Sequence, residues 1–285
     1  MIFILGTAAL AVVTALACAL PGVFVVLRKN SMLVDGMSHA VFPGIVVGFM
    51  LTYDLRSPWL ILGAATTGLL VVIGSEWLTA TRLLTGDAPQ GLIFPALFAG
   101  GIILVTSRFA HVHLDVHTVL VGDLNLASFD RLLVGGVDAG PAYLYVMLAV
   151  LGVNALFLTA FLPQMKASTF DPQAAAVQGI PVRRLNLAFM FLVSVTVTAA
   201  FHAAGAILVI ALVVAPAATA LLLSTRLDRM ILWTLTIAGT GAGTGFWLAY
   251  VTDTSTSAAM AVFYGVLFLA VLLSTRHASR RRQLR

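Results

Sequence analysis

The sequence has little charge and almost no cysteine. Of its 285 residues, 9% are charged and 60% are hydrophobic, whereas a soluble globular domain carries about 25% charge. This composition excludes a soluble domain. It predicts an all-α, polytopic membrane protein, because lipid offers no hydrogen-bond partner to a free backbone group. The single cysteine, Cys18, excludes an intramolecular disulfide framework and any metal site made of several cysteines.

Motifs of catalysis and nucleotide binding are also missing from the sequence. The run GTGAGTG at 239–245 lacks the Lys-Ser/Thr ending of a P-loop and lies within an apolar segment. Gly239 with Gly243 and Gly241 with Gly245 form two overlapping pairs of small residues four apart, as Gly44 and Gly48 do, and this spacing favours close helix packing. No HExxH motif and no nucleophile–base constellation occurs. Nothing in the sequence therefore argues for an intramembrane enzyme, and because there is no ATPase motif, any energy source would be a partner chain or a gradient.

Long apolar segments fill most of the chain. Several reach the roughly 20 residues that cross a bilayer, and we expect eight or nine transmembrane helices in a single permease domain over residues 1–285. The 185–223 pair is nearly continuous and is expected to turn around Gly205. The segments run near 2–27, 31–53, 58–80, 90–106, 141–162, 185–203, 205–223, 230–251 and 256–274.

The basic residues predict the orientation in the membrane. With the N-terminus outside, 13 of the 16 Lys and Arg fall on one side, which is then the cytoplasmic side. The C-terminus is also cytoplasmic and ends in a polybasic tail, 276–285, which is expected to touch anionic lipid. The net charge of +5 therefore reflects topology, and no nucleic acid partner is expected. These features predict a multi-pass membrane protein.

Asp35 and His39 stand four residues apart inside an otherwise apolar segment. On a helix this spacing places both side chains on one face, and a carboxylate with an imidazole can hold a divalent metal. Ionisable groups inside a membrane segment are costly and mark functional sites by default. The alternative is that Asp35 caps a helix and His39 is a satisfied interior histidine.

Two polar regions interrupt the apolar segments. The outer one, 107–140, contains His111, His113, Asp115 and His117, which would project from one face of an extended strand. They form either a metal-collecting surface or an ordinary loop. The cytoplasmic one, 163–184, predicts a short helix.

That short helix near 171–179 carries capping signals at both ends. Asp171 suits the N-cap, Pro172 the first helical position and Gly179 the position after the last turn. A short capped helix between two spans is suited to dock into a partner's groove. The alternative is a simple connector.

Several blocks together resemble the permease subunit of ABC-type manganese/zinc (sometimes iron) importers, the ABC-3 family. The most specific are RKNSMLVDGMSHAVFPG at 28–44 and AGAILVIALVVAPAATA at 204–220. Further matches are RLLTGDAPQGLIF at 82–94, LDVHTVLVGDL at 114–124 and FDPQAAAVQGIPVRRLN at 170–186.

The resemblance implies a homodimeric permease with two cytoplasmic ATP-binding subunits and an extracellular metal-binding lipoprotein. It implies that Asp35 and His39 line the metal path and that 171–179 is the coupling helix. His202 stands where relatives often carry another polar residue, and its place on the path is open. The transported ion would be Mn²⁺, Zn²⁺ or Fe²⁺, with no permanently bound cofactor.

Two alternatives remain at this stage. A secondary cation transporter also has buried ionisable residues but usually shows inverted repeats, and none is clear here. An ABC permease for a metal chelate such as a siderophore has less need of an Asp–His pair on one helical face.

Overall fold

The computed structural model describes residues 2–53, 59–84, 86–108, 124–134 and 137–283, and nearly all of them are helical. The predicted all-α class is confirmed. In chain order the elements are α1 (Ile2–Leu27), α2 (Ser31–Thr52), α3 (Trp59–Ala80), α4 (Ala88–Arg108), α5 (Leu124–Ala127), β1 (Arg131–Val134), β2 (Val137–Pro141), α6 (Ala142–Phe170), α7 (Pro172–Val177), α8 (Val182–Leu223), α9 (Leu227–Thr252) and α10 (Thr256–Gln283).

Seven helices among the described residues are long and apolar enough to cross a membrane: α1, α2, α3, α4, α6, α8 and α10. They contain eight of the nine predicted apolar segments, because α8 includes two. The 42 residues of α8 are about twice the roughly 20 that one span needs. Gly205 interrupts it with φ 77° and ψ 165°, which confirms the predicted break. The ninth segment is α9, whose glycines and threonines lower its hydropathy.

The chain divides into two compact units, each assembled from segments distant in sequence. Unit 1 comprises Met1–Arg28, Asp123–Ala155 and Ala203–Arg285, and unit 2 comprises Lys29–Gly122 and Leu156–His202. Both α6 and α8 contribute one half to each unit. The assignment of a single permease domain over 1–285 stays a prediction.

Close backbone contacts organise the helices inside unit 2. A Cβ on Gly44 would overlap the Cα of Ala64, and a Cβ on Gly48 would lie 3.0 Å from the Cα of Leu60. The predicted small-residue pair therefore lets α2 lie directly against α3. The Thr67 hydroxyl of α3 also donates to the Ala40 carbonyl of α2 at 2.9 Å. These contacts hold the helix that carries Asp35 and His39.

Glycines of the 239–245 run likewise allow close helix packing inside unit 1. Side chains at Gly241 and Gly245 would collide with the Tyr264 ring and with Met260 of α10, and the Tyr264 hydroxyl donates to the Ala238 carbonyl at 2.6 Å. The 241/245 pair thus packs α9 against α10. In contrast, a Cβ at Gly243 would meet nothing within 4 Å.

A short β-hairpin is the one departure from the helical plan among the described residues. Strands β1 and β2 pair antiparallel between Arg131 and Pro141, inside the predicted outer polar region. The sequence carried a signal for it, because the Gly-Gly dipeptide at 135–136 between two short apolar runs is typical of a hairpin. The hairpin leads directly into α6.

Two helices extend beyond the predicted apolar segments. Helix α6 continues to Phe170 and α10 to Gln283, so part of the polar 163–184 region and most of the basic tail are helical. A helix satisfies its own backbone groups in water as well as in lipid, so hydropathy alone does not mark its end.

Candidate functional site

Asp35 and His39 lie one turn apart on α2, as their spacing predicts. Helix α2 begins at Ser31 with Asn30 in the N-cap position, so Asp35 is inside the helix and the alternative that it caps α2 is wrong. The His39 Nε2 atom lies 3.7 Å from Asp35 Oδ1, and the two side chains are 38% and 33% exposed. Both groups are therefore half-buried and still reachable from one side.

The separation of these two atoms suits a bridging cation. Two bonds of about 2.1 Å at a tetrahedral angle place two ligand atoms about 3.4 Å apart. The observed 3.7 Å between Nε2 and Oδ1 is close to this value and is longer than an ordinary hydrogen bond. A small adjustment of either side chain would bring both atoms onto one ion.

Aromatic rings of α4 fix the orientation of the His39 imidazole. The ring stacks on Phe94 with centroids 5.4 Å apart and planes inclined by 17°, and Phe98 meets it edge-on at 6.1 Å. Sequence reasoning missed both phenylalanines. Their signal was the spacing of four on an apolar helix, which places 94 and 98 on one face.

The pair supplies two ligand atoms, fewer than the four or more that a divalent transition metal takes. Among the residues that the structure describes, no group of three or more His, Cys, Asp or Glu is placed to hold a metal ion. Within the described residues, the possible side-chain ligands brought together here are therefore His39 Nε2 and Asp35 Oδ1.

His202, the described residue among the other predicted ligands, is not grouped with Asp35 and His39. His202 is an exposed residue of α8, and it joins no group of three possible ligands within the described chain. Its place on a metal path stays a prediction. His111, His113, Asp115 and His117 lie outside the described residues.

The predicted docking segment forms as expected. The Asp171 carboxylate accepts the Ala174 N–H at 2.9 Å, and Pro172 opens α7. Gly179 follows with φ 80°, the left-handed conformation that glycine adopts without steric cost. The Val177 side chain is 89% exposed at the end of α7, so the helix presents an apolar residue to its surroundings.

Membrane-spanning helices with an ionisable pair inside one span are typical of membrane transport proteins. The comparison with known sequences specifies the class further: the chain belongs to the ABC 3 transport family, whose profile matches residues 1–275. The predictions of an integral membrane transport subunit, and of a subunit that is not itself an enzyme, are thereby confirmed.

Relatives cover most of the chain. It is 36% identical over 262 residues to the manganese transport system membrane protein MntD of Bacillus subtilis, covering 92% of this chain and 88% of the relative. It is 41% identical over 274 residues to the zinc transport system membrane protein TroD of Treponema pallidum, covering 96% and 74%.

A solved structure shares the fold. PsaBC from Streptococcus pneumoniae in complex with Fab superposes with a TM-score of 0.77 at 24% identity, covering 95% of this chain and 91% of that one.

Proposed function

We propose that this chain is the permease of an ATP-driven importer of a divalent transition metal, Mn²⁺ or Zn²⁺ and by extension Fe²⁺. The observation that carries the proposal is the half-buried Asp35–His39 pair on α2, with Nε2 and Oδ1 3.7 Å apart. A carboxylate and an imidazole are ligands common to all three ions. The names of the manganese and zinc relatives support the same substrate class.

Asp35 and His39 join no third possible ligand among the described residues, and this supports a pathway rather than a storage site. An ion held by few protein ligands keeps some of its water and leaves more easily, which conduction requires. A two-fold dimer would either bring two Asp35–His39 pairs together near its axis or leave one pair in each subunit. In both arrangements Asp35 supplies the negative charge that offsets removal of the cation from water.

The partners follow from this function. The chain carries no P-loop, so two copies of a cytoplasmic ATP-binding subunit would supply the energy, and α7 would dock into them. An extracellular metal-binding lipoprotein would deliver the ion, and the permease would form a homodimer in the lipid bilayer. The exposed end of α7 at Val177 supports the docking role.

The test is metal uptake by the whole complex. The permease is purified with its ATP-binding subunit, reconstituted in liposomes with the binding protein, and supplied with Mn²⁺, Zn²⁺ or Fe²⁺. We expect ATP-dependent uptake of one of these ions, and none in the double variant Asp35→Asn, His39→Ala. Import at the parental rate by the double variant contradicts the proposal. Uptake of a ferric siderophore instead of the free ions would make the chain a chelate permease.

A further inference from the structure

Three hydrogen bonds in unit 2 connect α8 to α3 and α3 to α2. Each involves a side chain inside an apolar span. The Asn186 amide of α8 donates to Glu76 Oε1 of α3 at 2.8 Å. The buried Ser194 hydroxyl of α8 donates to the Ala65 carbonyl of α3 at 2.9 Å. The Thr67 hydroxyl of α3 reaches the Ala40 carbonyl of α2 at 2.9 Å.

The hydrogen bonds made by Asn186 and Ser194 of α8 reach the same face of α3. Ala65 and Glu76 are eleven residues apart, three turns of a helix, and therefore share a face. Gly68 lies on this face as well, where a Cβ would collide with the Ser194 hydroxyl. The N-terminal half of α8 is thus bound to α3 by two hydrogen bonds and by close packing between them.

Glu76 is an unexpected residue in this position. It is the chain's one glutamate and lies in the last turn of the span α3, where the helix dipole disfavours a negative charge. Its Oε1 accepts a hydrogen bond from the Asn186 amide of α8. A costly group at such a site indicates a functional role.

The third hydrogen bond, from Thr67, ends at the Ala40 carbonyl. Ala40 directly follows His39, one of the two proposed metal ligands. The Thr67 hydroxyl has one proton and three carbonyl oxygens within reach: Ala40 of α2, and Gly63 and Ala64 of its own helix, at 2.9, 3.0 and 2.9 Å. The hydroxyl can therefore leave α2 and remain satisfied within α3. Such a contact can be made and broken at little cost.

Backbone hydrogen bonds also connect the start of α8 to α7. The Ile180 N–H donates to the Ala175 carbonyl at 3.1 Å, and the Leu185 N–H donates to the Pro181 carbonyl at 2.9 Å. These bonds close a tight turn between α7 and α8. A displacement of α7 therefore moves the start of α8, and Asn186 lies in its second turn.

We propose that Asn186, Ser194 and Thr67 are positioning residues that transmit movement of α7 through α3 to α2, and so set the geometry of Asp35 and His39 during ATP turnover. The inference rests on the proposed function, because it assumes that α7 docks to the ATP-binding subunit. The physical basis is a continuous set of hydrogen bonds within unit 2. It ends at the Thr67 hydroxyl, which can bond either to α2 or to its own helix.

Matched variants isolate each hydrogen bond. Thr67→Ser and Thr67→Ala both remove the methyl group and differ only in the hydroxyl. Ser194→Ala removes a hydroxyl alone. Glu76→Gln keeps the acceptor for Asn186 and removes the charge, whereas Glu76→Leu removes both. Thr66→Ala is the control, since the Thr66 hydroxyl is exposed and donates within its own helix to Gly63 at 2.8 Å.

The readout is metal imported per ATP hydrolysed by the reconstituted complex, with metal affinity and subunit assembly measured alongside. We expect Ser194→Ala, Thr67→Ala and Glu76→Leu to lower this ratio by about threefold to tenfold each, the worth of one interhelical hydrogen bond in a membrane. Assembly and metal affinity should stay at parental values. Thr67→Ser, Glu76→Gln and Thr66→Ala should transport normally.

A second measurement, of the distance between two helices, does not depend on metal transport. Spin labels at Leu51 of α2 and Arg183 of α8, both exposed, report whether α2 follows the start of α8 when ATP is turned over. We expect an ATP-dependent change of distance in the parent that Ser194→Ala and Thr67→Ala reduce. If this change occurs but no metal is imported, the proposed function fails and the inference stands.

Two results overturn the inference. In the first, Ser194→Ala and Thr67→Ala import as much metal per ATP as the parent and show the full distance change. In the second, Glu76→Gln loses as much coupling as Glu76→Leu. Coupling would then depend on the negative charge of Glu76 and not on its hydrogen bond to Asn186.

Discussion

At the scale of single residues, the position of Asp35 and His39 decides how each side chain can act. Both lie within α2, half-buried, with their reactive atoms 3.7 Å apart. The imidazole is held against the Phe94 ring, so it has little freedom to turn away. In the proposed function, an ion that meets this pair finds a carboxyl group and an imidazole already oriented, which lowers the entropy cost of binding.

Loss of either ligand should have the same effect on transport. Asp35→Asn keeps the shape and removes the charge that offsets cation desolvation, and His39→Ala removes the nitrogen. Each is expected to abolish uptake, and the double variant should be no worse than either, because one loss already destroys the site. Uptake of radioactive Mn²⁺ or Zn²⁺ checks this. Simple addition of two partial defects would show that the residues act separately.

The Phe94 ring should matter less than the ligands. Phe94→Leu removes the stacking partner of His39, and an aromatic pair contributes about 0.5–1.5 kcal/mol. We therefore expect metal affinity to fall by about twofold to twelvefold, as measured by isothermal titration. Phe161→Leu is the matched control, because that exposed ring of α6 contacts Phe157 and not His39. Equal losses in both variants would mean that ring stacking does not orient the ligand.

At the scale of elements, short segments between the spans are formed by local signals. Helix α7 has six residues, too few to be stable alone, and it is held by a side-chain cap at Asp171 and a left-handed residue at Gly179. The hairpin of β1 and β2 is held in a similar way. Its Asp138 carboxylate accepts from Arg131 Nε and from the Gly140 N–H at 2.8 and 2.9 Å.

Gly179→Val should uncouple ATP hydrolysis from transport. The site has open space, since a Cβ there would meet nothing within 4 Å, but φ is 80° and a β-branched residue resists that conformation. We expect normal membrane insertion with loss of transport-coupled ATP hydrolysis, and a milder defect in Gly179→Asn. Gly152→Val, at an equally open site in α6, should couple normally. Full coupling in Gly179→Val would count against docking through α7.

The hairpin should loosen when Asp138 loses its charge. The Gly140 N–H and then the Arg131 guanidinium lower the pKa of Asp138 below its ordinary value. A lowered pKa in the folded state stabilises the hairpin at pH values above the unfolded pKa of about 3.9, and this stabilisation is lost as pH falls through the folded value. At pH 7, Asp138→Asn should therefore speed amide hydrogen exchange in 131–141. Unchanged exchange there, with exchange in α6 as reference, would remove this role.

At the scale of the whole molecule, the distribution of basic residues predicts how the chain is oriented in the bilayer. Of the 16 Lys and Arg, 13 fall on the side predicted to be cytoplasmic. The predicted topology assigns the 163–184 region, which contains α7, to this side, where the proposed ATP-binding subunit would meet it. It assigns the 107–140 region, which contains β1 and β2, to the outside.

Cysteine labelling tests this orientation. Cys18 is buried and is replaced by Ala, and single cysteines are placed at Asp130 beside the hairpin and at His277 in α10, both exposed. A membrane-impermeant maleimide should label Asp130→Cys in intact cells and His277→Cys only after lysis. Ser128→Cys is the control for access, because Ser128 is buried and should react only after denaturation. Labelling of both test positions from outside would reverse the topology.

The sequence by itself determined the class, the apolar segments and the shared helical face of Asp35 and His39. Charge and hydropathy patterns reflect the cost of polar groups in lipid, so they predicted the apolar segments and the break at Gly205. Capping rules act within four residues, so they predicted α7 from Asp171 to Gly179. A spacing of one turn predicted that Asp35 and His39 share a face.

The tertiary structure alone decided how distant residues meet. Lipid-facing and helix-facing apolar residues look the same in sequence, because both are hydrophobic. No periodicity therefore indicated that Phe94 packs on His39, that Thr67 reaches Ala40, or that Asn186 bonds to Glu76 across 110 residues. These contacts depend on which helices pack together, and packing in a membrane is set by shape and close approach rather than by hydrophobicity.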